Sequence, residues 1–170
     1  MYNDLPAMEA GISFIQRKNF MMINNMRIVK NVAIVSQDKR KNELIEWSFD
    51  NRHKLARHHV IALGETADVL EGTLNVPVQK LMPGNMGGYE ELGRMIADGK
   101  VDMIMFIWDS NKTFPYESDI EKLQCLAEEQ NLVVATTTRP GEAVLSSSFL
   151  NSFRLKNVVN EDRFGTKRAV

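Results

Sequence analysis

A glycine-rich loop at residues 83–93, with the sequence PGNMGGYEELG, is the segment whose residue types most clearly suggest a binding site. Glycines ahead of a helix let backbone N–H groups approach an anion, and the helix dipole favours negative charge there. The spacing fits neither a Walker motif nor a dinucleotide fingerprint. The loop therefore predicts either an anion site or a tight turn without a ligand.

Charged side chains stand at two further positions where strands are predicted to end. Asp38 and Lys41 lie three residues apart at the start of a predicted helix and can hold a polar ligand, with Lys41 pairing a phosphate or carboxylate. The alternative is that Asp38 caps the helix and Lys41 is solvated. Asp109 and Asp119 follow the most apolar segment, where a carboxylate can transfer a proton or hold a hydroxyl group. Capping of the next helix is the competing role for Asp119.

Metal and serine-nucleophile chemistry are not indicated. His53, His58 and His59 have no metal-binding spacing to an acidic or cysteine partner. Residues 146–148 are three serines, but they lack the flanking glycines of a nucleophile elbow. We therefore predict no metal site.

The elements that would position these side chains alternate between strands and helices. Apolar, β-branched runs predict buried parallel strands, and amphipathic segments between them predict helices. Predicted strands cover residues 31–35, 57–63, 76–81, 101–108, 132–136 and 157–159, and predicted helices cover residues 38–52, 65–74, 89–98, 119–129 and 140–147. This alternation predicts a single α/β domain, a parallel sheet flanked by helices, with ligands at the carboxyl ends of the strands.

The composition is that of a folded domain with no bulk attraction to nucleic acid or membranes. The chain has 170 residues, is 44% hydrophobic and carries a formal net charge of -1. Its one cysteine, Cys125, cannot form an intramolecular disulfide, and its longest clean apolar stretch falls far short of the ~20 residues that span a bilayer. We expect a cytoplasmic protein without a nucleic-acid or membrane partner. Residues 1–28 are expected to form a flexible or oligomer-contacting extension ahead of the domain at 29–170.

Six segments resemble the methylglyoxal synthase family over residues 30–170. They are VAIVSQDKRK at 32–41, HHVIALGET at 58–66, PGNMGG at 83–88, ADGKVDMIMFIWD at 97–109, PYESD at 115–119 and VVATT at 133–137. The segment ending in Trp-Asp and the proline four residues before an aspartate are the most specific. The resemblance implies a flavodoxin-like sheet, a homo-oligomer that is commonly a hexamer, and a site for dihydroxyacetone phosphate that uses no metal or organic cofactor.

The resemblance also assigns roles to individual residues. In the family a carboxylate removes a proton next to the carbonyl, and the resulting enediol phosphate expels phosphate. The implied catalytic carboxylates are Asp38, Asp109 and Asp119. The implied ligand-binding residues are Lys41, Gly64, Thr66, Gly84, Gly87, Gly88 and Arg168, the last being a C-terminal arginine that reaches the phosphate.

Four positions depart from the family pattern. Tyr89 replaces the catalytic aspartate, and a tyrosine with a pKa near ~10 is a poor base at neutral pH; Glu90, the next residue, is the candidate substitute. Gln37 and Tyr116 each replace a histidine. Glu65 adds a negative charge to a phosphate loop that is usually rich in threonine.

These replacements favour a methylglyoxal synthase-like protein with a degenerate active site, which binds a small anionic or phosphorylated metabolite without efficient catalysis. The alternative is an active methylglyoxal synthase, a carbon–oxygen lyase with Glu90 or Asp119 as the base. A third hypothesis is an interaction protein that contacts its partner through residues 1–28.

Overall fold

The computed structural model describes residues 28–109 and 115–150. In this part of the chain strands and helices alternate, as the sequence predicts. The strands are β1 (Asn31–Ser36), β2 (His59–Leu63), β3 (Gln79–Leu81), β4 (Met103–Ile107) and β5 (Val133–Ala135). The α-helices are α1 (Lys41–Asp50), α2 (Arg52–Leu55), α3 (Gly64–Leu74), α4 (Gly88–Ala97), α5 (Glu117–Glu129) and α6 (Thr138–Ser146), and short 3₁₀ turns cover Asp38–Arg40 and Gly84–Met86.

The five strands form one parallel sheet in the order β3-β2-β1-β4-β5. Strand β1 is in the middle, and its Ala33 is paired with Ile61 on one side and Ile104 on the other. The order changes direction between β1 and β4, so the sheet is doubly wound. It differs from the 2-1-3-4-5 order of flavodoxin in that β1, not β3, is central. The predicted single α/β domain with helix-flanked parallel strands is confirmed.

Helices cover both faces of the sheet, so the strands are buried on both sides. Alternate residues of a strand point to opposite faces, and in β1 this places Ile34 in one apolar cluster and Ala33 in the other. Helices α1, α2, α3 and α6 pack on the Ile34 face, and α4 and α5 pack on the Ala33 face. All five residues of β4 are buried, which fits an interior strand of a parallel sheet.

The predicted helix at 38–52 is divided into three pieces. It begins as the 3₁₀ turn Asp38–Arg40, continues as α1 and is interrupted at Asn51 before α2. Asn51 is buried, and its side-chain amide donates to the Trp47 carbonyl at 3.0 Å. An asparagine that bonds to the preceding turn competes with the regular helix, which explains the interruption.

Other predicted boundaries differ from the structure by a few residues. Strand β2 begins later than predicted, because the residues before it form a turn in which the His58 N–H donates to the Leu55 carbonyl. Strand β3 also begins later than predicted, at Gln79. The predicted strand at 157–159 and the predicted extension at 1–28, apart from Ile28, lie outside the described residues. In the described ranges there is no helix long and apolar enough to cross a membrane.

Gly88, the first residue of α4, has no room for a side chain. A Cβ placed there would overlap the Met82 carbonyl oxygen. Gly72, in the last turn of α3, differs because a Cβ there would meet nothing within 4 Å. The two glycines therefore make a matched pair, one required by packing and one not.

We expect Gly88→Ala to lower the free energy of unfolding by about 1–3 kcal/mol, the usual cost of overpacking a tight site. Gly72→Ala should raise it by up to about 0.5–1 kcal/mol, since alanine loses less backbone freedom than glycine in a helix. Urea unfolding of both variants measures these changes. Equal stability of the Gly88→Ala variant and the parent protein would contradict the packing explanation.

His58 anchors the start of β1 in its neutral form. Its Nδ1 accepts a hydrogen bond from the Lys30 N–H at 3.2 Å. Burial, together with the positive charges of Arg57 and Lys30, holds the pKa of His58 below its ordinary value of 6.5. As the pH falls through about 6.5, the folded chain therefore binds fewer protons at His58 than the unfolded chain does.

We expect the free energy of unfolding to be smaller at about pH 5 than at about pH 8, since the unfolded chain gains a proton at His58 before the folded chain does. His58→Gln should reduce this pH dependence. His53→Gln, at an exposed histidine of α2, should leave it unchanged. Urea unfolding at both pH values tests this, and identical pH dependence in all three proteins would rule out the role of His58.

Candidate functional site

A cleft of about 460 Å³ opens at the carboxyl ends of β1, β2 and β3. Its described lining residues come from the segments after these strands, at 35–38, 63–66 and 83–86, together with Tyr89 and Tyr116. This is the position in which doubly wound sheets bind ligands. The cleft therefore lies where the sequence analysis expected a site, on the β1–β2–β3 side of the sheet.

The glycine-rich loop shapes one wall of the cleft. A Cβ on Gly84 would collide with the Tyr89 ring, so glycine is needed there for the loop to lie against the tyrosine. Gly87 has a φ of +93°, a conformation that favours glycine. The N–H groups of Met86 and Gly88 donate to the Pro83 carbonyl at 2.9 and 3.1 Å. These two N–H groups close the turn, and of the three predicted loop glycines only Gly84 is among the described residues that line the cleft.

An ion pair lies at the edge of the cleft. The Lys41 ammonium at the start of α1 donates to the Glu65 carboxylate at the start of α3, with 2.9 Å between Nζ and Oε2. This hydrogen bond raises the pKa of Lys41 and lowers the pKa of Glu65, so both groups stay charged near neutral pH. Glu65 lines the cleft beside Gly64 and Thr66. The cation predicted to bind a ligand is thus already in contact with a carboxylate.

Asp38 lines the cleft but does not cap a helix. It is the first residue of the 3₁₀ turn, Gln37 occupies the N-cap position, and no side-chain capping hydrogen bond forms. The alternative reading of Asp38 as an N-cap is therefore wrong. Four carboxylates are predicted as catalytic, namely Asp38, Glu90, Asp109 and Asp119. Of these, Asp38 alone is among the described residues that line the cleft.

Asp109 lies at the end of β4 and is held by neighbours from the β1 loop. Its carboxylate is 3.6 Å from the Arg40 guanidinium, and its N–H donates to the Gln37 side-chain oxygen at 3.1 Å. Arg40 also contacts Glu43 at 2.7 Å. Arg40 lies between Asp38 and Lys41 in the sequence and was not predicted to be a site residue. Asp109 therefore joins β4 to the β1 loop and is not among the described residues that line the cleft.

Tyr89 and Tyr116 form the back of the cleft. Their ring centroids are 5.4 Å apart, with the rings inclined at 40°. Burial, with smaller contributions from Tyr116 and two nearby aspartates, raises the pKa of Tyr89 to about 12. A phenol with this pKa stays protonated at neutral pH and can donate a hydrogen bond, but it cannot act as a base there.

Glu90 and Asp119 lie on the other side of Tyr89. Both line a groove of about 360 Å³ between α4 and α5, which Tyr89 also borders. Asp119 is the third residue of α5 and contacts Lys122 at 3.3 Å, so it is not the N-cap of that helix. The structure thus distributes the predicted catalytic carboxylates over three places: the cleft, the Arg40 contact and this groove. Arg168 lies outside the described residues.

The described residues contain no group of three or more His, Cys, Asp or Glu side chains that could hold a metal ion. The side chains that line the cleft are instead suited to hydrogen bonding and to contact with a small polar molecule: Ser36, Gln37, Thr66, Asn85 and the two tyrosines. Of these, Ser36 and Asn85 were not proposed from the sequence, because a lone serine or asparagine in a loop carries no distinctive pattern.

Tyr89 is expected to ionise near pH 12, whereas an exposed tyrosine ionises near 10.0. Alkaline titration followed by tyrosinate absorbance, compared between the parent protein and Tyr89→Phe, isolates this group. Tyr116→Phe is the matched control at the partner ring. A Tyr89 contribution to the titration near pH 10 would contradict the raised pKa and the burial of this side chain.

Known methylglyoxal synthases are similar to the chain in sequence and in structure. The chain is 36% identical over 118 residues to the methylglyoxal synthase of Pseudoalteromonas atlantica, covering 69% of this chain and 87% of that protein. It is 32% identical over 139 residues to that of Yersinia enterocolitica, covering 82% and 91%. The crystal structure of methylglyoxal synthase from Elizabethkingia anophelis superposes with a TM-score of 0.69 at 29% identity, over 83% of this chain and 95% of that one. No family model matches the chain.

Proposed function

Because the chain belongs to the methylglyoxal synthase family, we propose that it binds a small anionic or phosphorylated metabolite in the cleft without efficient conversion to methylglyoxal. The observation that carries this proposal is the raised pKa of Tyr89. Tyr89 stands at the position that the family resemblance gives to the catalytic aspartate, and burial of its side chain raises its pKa to about 12. Removal of a proton from carbon needs a group that accepts a proton near neutral pH.

The neighbouring carboxylates support the loss of catalysis. Glu90 and Asp119, the two candidates for a substitute base, border the groove between α4 and α5 and not the cleft. A general base must lie within hydrogen-bond reach of the proton that it removes. Asp38 remains in the cleft, but the two histidines of the family pattern are absent, since Gln37 and Tyr116 occupy their positions.

The retained features support binding. Helix α3 begins at Gly64 on the cleft wall, and the positive end of a helix dipole favours anions. Thr66 adds a hydroxyl donor, and Lys41 adds an ammonium group at the edge of the cleft. In this proposal Gly64, Thr66, Gly84 and Lys41 bind the ligand, while Gly87 and Gly88 maintain the turn that presents them.

The proposal also includes a cytoplasmic location, a homo-oligomer in the manner that the family resemblance implies, and an arginine contact to the ligand from Arg168. The single cysteine supports a reducing compartment. No metal or organic cofactor is required by the chemistry that the resemblance implies. Residues 1–28 are proposed to extend from the domain at 29–170.

Incubation of the purified chain with dihydroxyacetone phosphate should give methylglyoxal and phosphate at a rate at least ~10²-fold below the usual enzymatic range of roughly 1–10³ s⁻¹. The methylglyoxal synthase of Vibrio cholerae, which is 35% identical over 121 residues, serves as the positive control in the same assay. Calorimetric titration of the same preparation should show binding of a phosphate ester.

Turnover within the usual enzymatic range would overturn the degenerate-site proposal in favour of an active synthase. Glu90→Gln and Asp119→Asn would then identify the base, because loss of activity in one variant and not in the other assigns the role. Absence of both turnover and binding would favour an interaction protein.

A further inference from the structure

We propose that Glu65 determines the ligand specificity of the cleft, by engaging Lys41 and making the cleft prefer a singly charged carboxylate ligand to a phosphate dianion. This inference rests on the proposed binding function and narrows its ligand class. It concerns a position at which the chain departs from the family pattern, and it follows from the charges around the cleft.

The charged side chains among the described cleft-lining residues are both acidic. They are Asp38 and Glu65, and the described lining includes no lysine or arginine. The Lys41 ammonium reaches the edge of the cleft through its 2.9 Å contact with Glu65. These three side chains together carry a net negative charge.

The surrounding charges do not reverse this balance. On the outer side of α3, Asp68 and Lys80 face Glu65, and they form an ion pair of their own at 2.7 Å. The start of α3 contributes the equivalent of roughly half a positive charge. Among the described residues, an incoming anion therefore meets one ammonium and one helix terminus, against two carboxylates.

The charge of the ligand determines how strongly these side chains attract or repel it. Coulomb energies scale with the product of the charges, so a dianion is repelled twice as strongly as a monoanion at the same position. Glu65 remains ionised near neutral pH, because the Lys41 hydrogen bond lowers its pKa. An anion that approaches Lys41 must displace the Glu65 carboxylate or lie beside it, and a dianion that lies beside Glu65 is repelled more strongly than a monoanion.

Glu65 can be changed without disturbing the fold. Its side chain is 78% exposed and accepts a hydrogen bond from Lys41, which is itself 40% exposed. Asp68 provides a matched control on the same helix. It is 62% exposed, pairs with a lysine in the same way and is not among the described residues that line the cleft.

The test is calorimetric titration of the full chain with glycerate and with glycerol 3-phosphate, two ligands of similar size. At about pH 8 the first is a monoanion, and the second is a dianion because a phosphate ester loses its second proton near pH ~6. The parent chain should bind glycerate more tightly. Glu65→Gln should strengthen glycerate binding about threefold and glycerol 3-phosphate binding about tenfold, because the effect of the lost charge is doubled in free energy for the dianion.

Asp68→Asn should leave the ratio of the two dissociation constants within about twofold of the parent value, since its charge lies farther from the ligand. Binding of both ligands with an unchanged ratio in Glu65→Gln, or an equal change in Asp68→Asn, would overturn the role of Glu65 while leaving the proposed binding function intact. Failure of the parent chain and of Glu65→Gln to bind either ligand would overturn both.

Discussion

The pairing of β1 with strands on both of its sides organises the molecule. Val32, Ala33 and Ile34 are aligned with β2 on one side and β4 on the other. Because all the strands are parallel, this register brings their carboxyl ends to one edge, and every loop that carries a polar side chain of the cleft starts there. Burial of both sheet faces under six helices supplies the free energy that holds the register. The position of the cleft is thus a consequence of strand pairing.

Within that frame, two contacts decide what the cleft contains. The Tyr89 ring lies against Gly84 and beside Tyr116, so the loop and the start of α5 meet over a buried phenol. The Lys41–Glu65 pair joins the starts of α1 and α3. The first contact places a protonated phenol on the cleft wall. The second places opposite charges at the edge of the cleft.

Much of the fold could be predicted from the sequence, because its strands are short, apolar and β-branched and its helices are amphipathic. Residues 31–36 and 103–107 are clear examples, since their composition suits a strand buried on both faces. The interruption at Asn51 could not be predicted, because it depends on a buried side chain that bonds to Trp47. A helix boundary that depends on one hydrogen bond is not visible in the spacing of the apolar residues.

The site was predicted less completely than the fold. The loops around the cleft were identified, because the ends of parallel strands and a glycine-rich turn are visible in the sequence. The separation of Asp38 from Asp119 and Glu90 could not be predicted, because it depends on the side of Tyr89 on which each carboxylate lies. Lys41 and Glu65 were each singled out in the sequence, and the structure joins them in an ion pair. The partnership of Arg40 with Asp109 needed three-dimensional coordinates.

The steric requirement at Gly88 has an evolutionary consequence. A side chain there would overlap a backbone oxygen whether or not the protein performs any reaction. Selection for folding alone is therefore enough to keep this glycine, whatever reaction the protein performs. Tyr89 follows directly, and its side chain is held by contacts with Gly84 and Tyr116 instead of by a backbone overlap. Gly88 is thus a marker of the fold, and by itself it carries no information about catalysis.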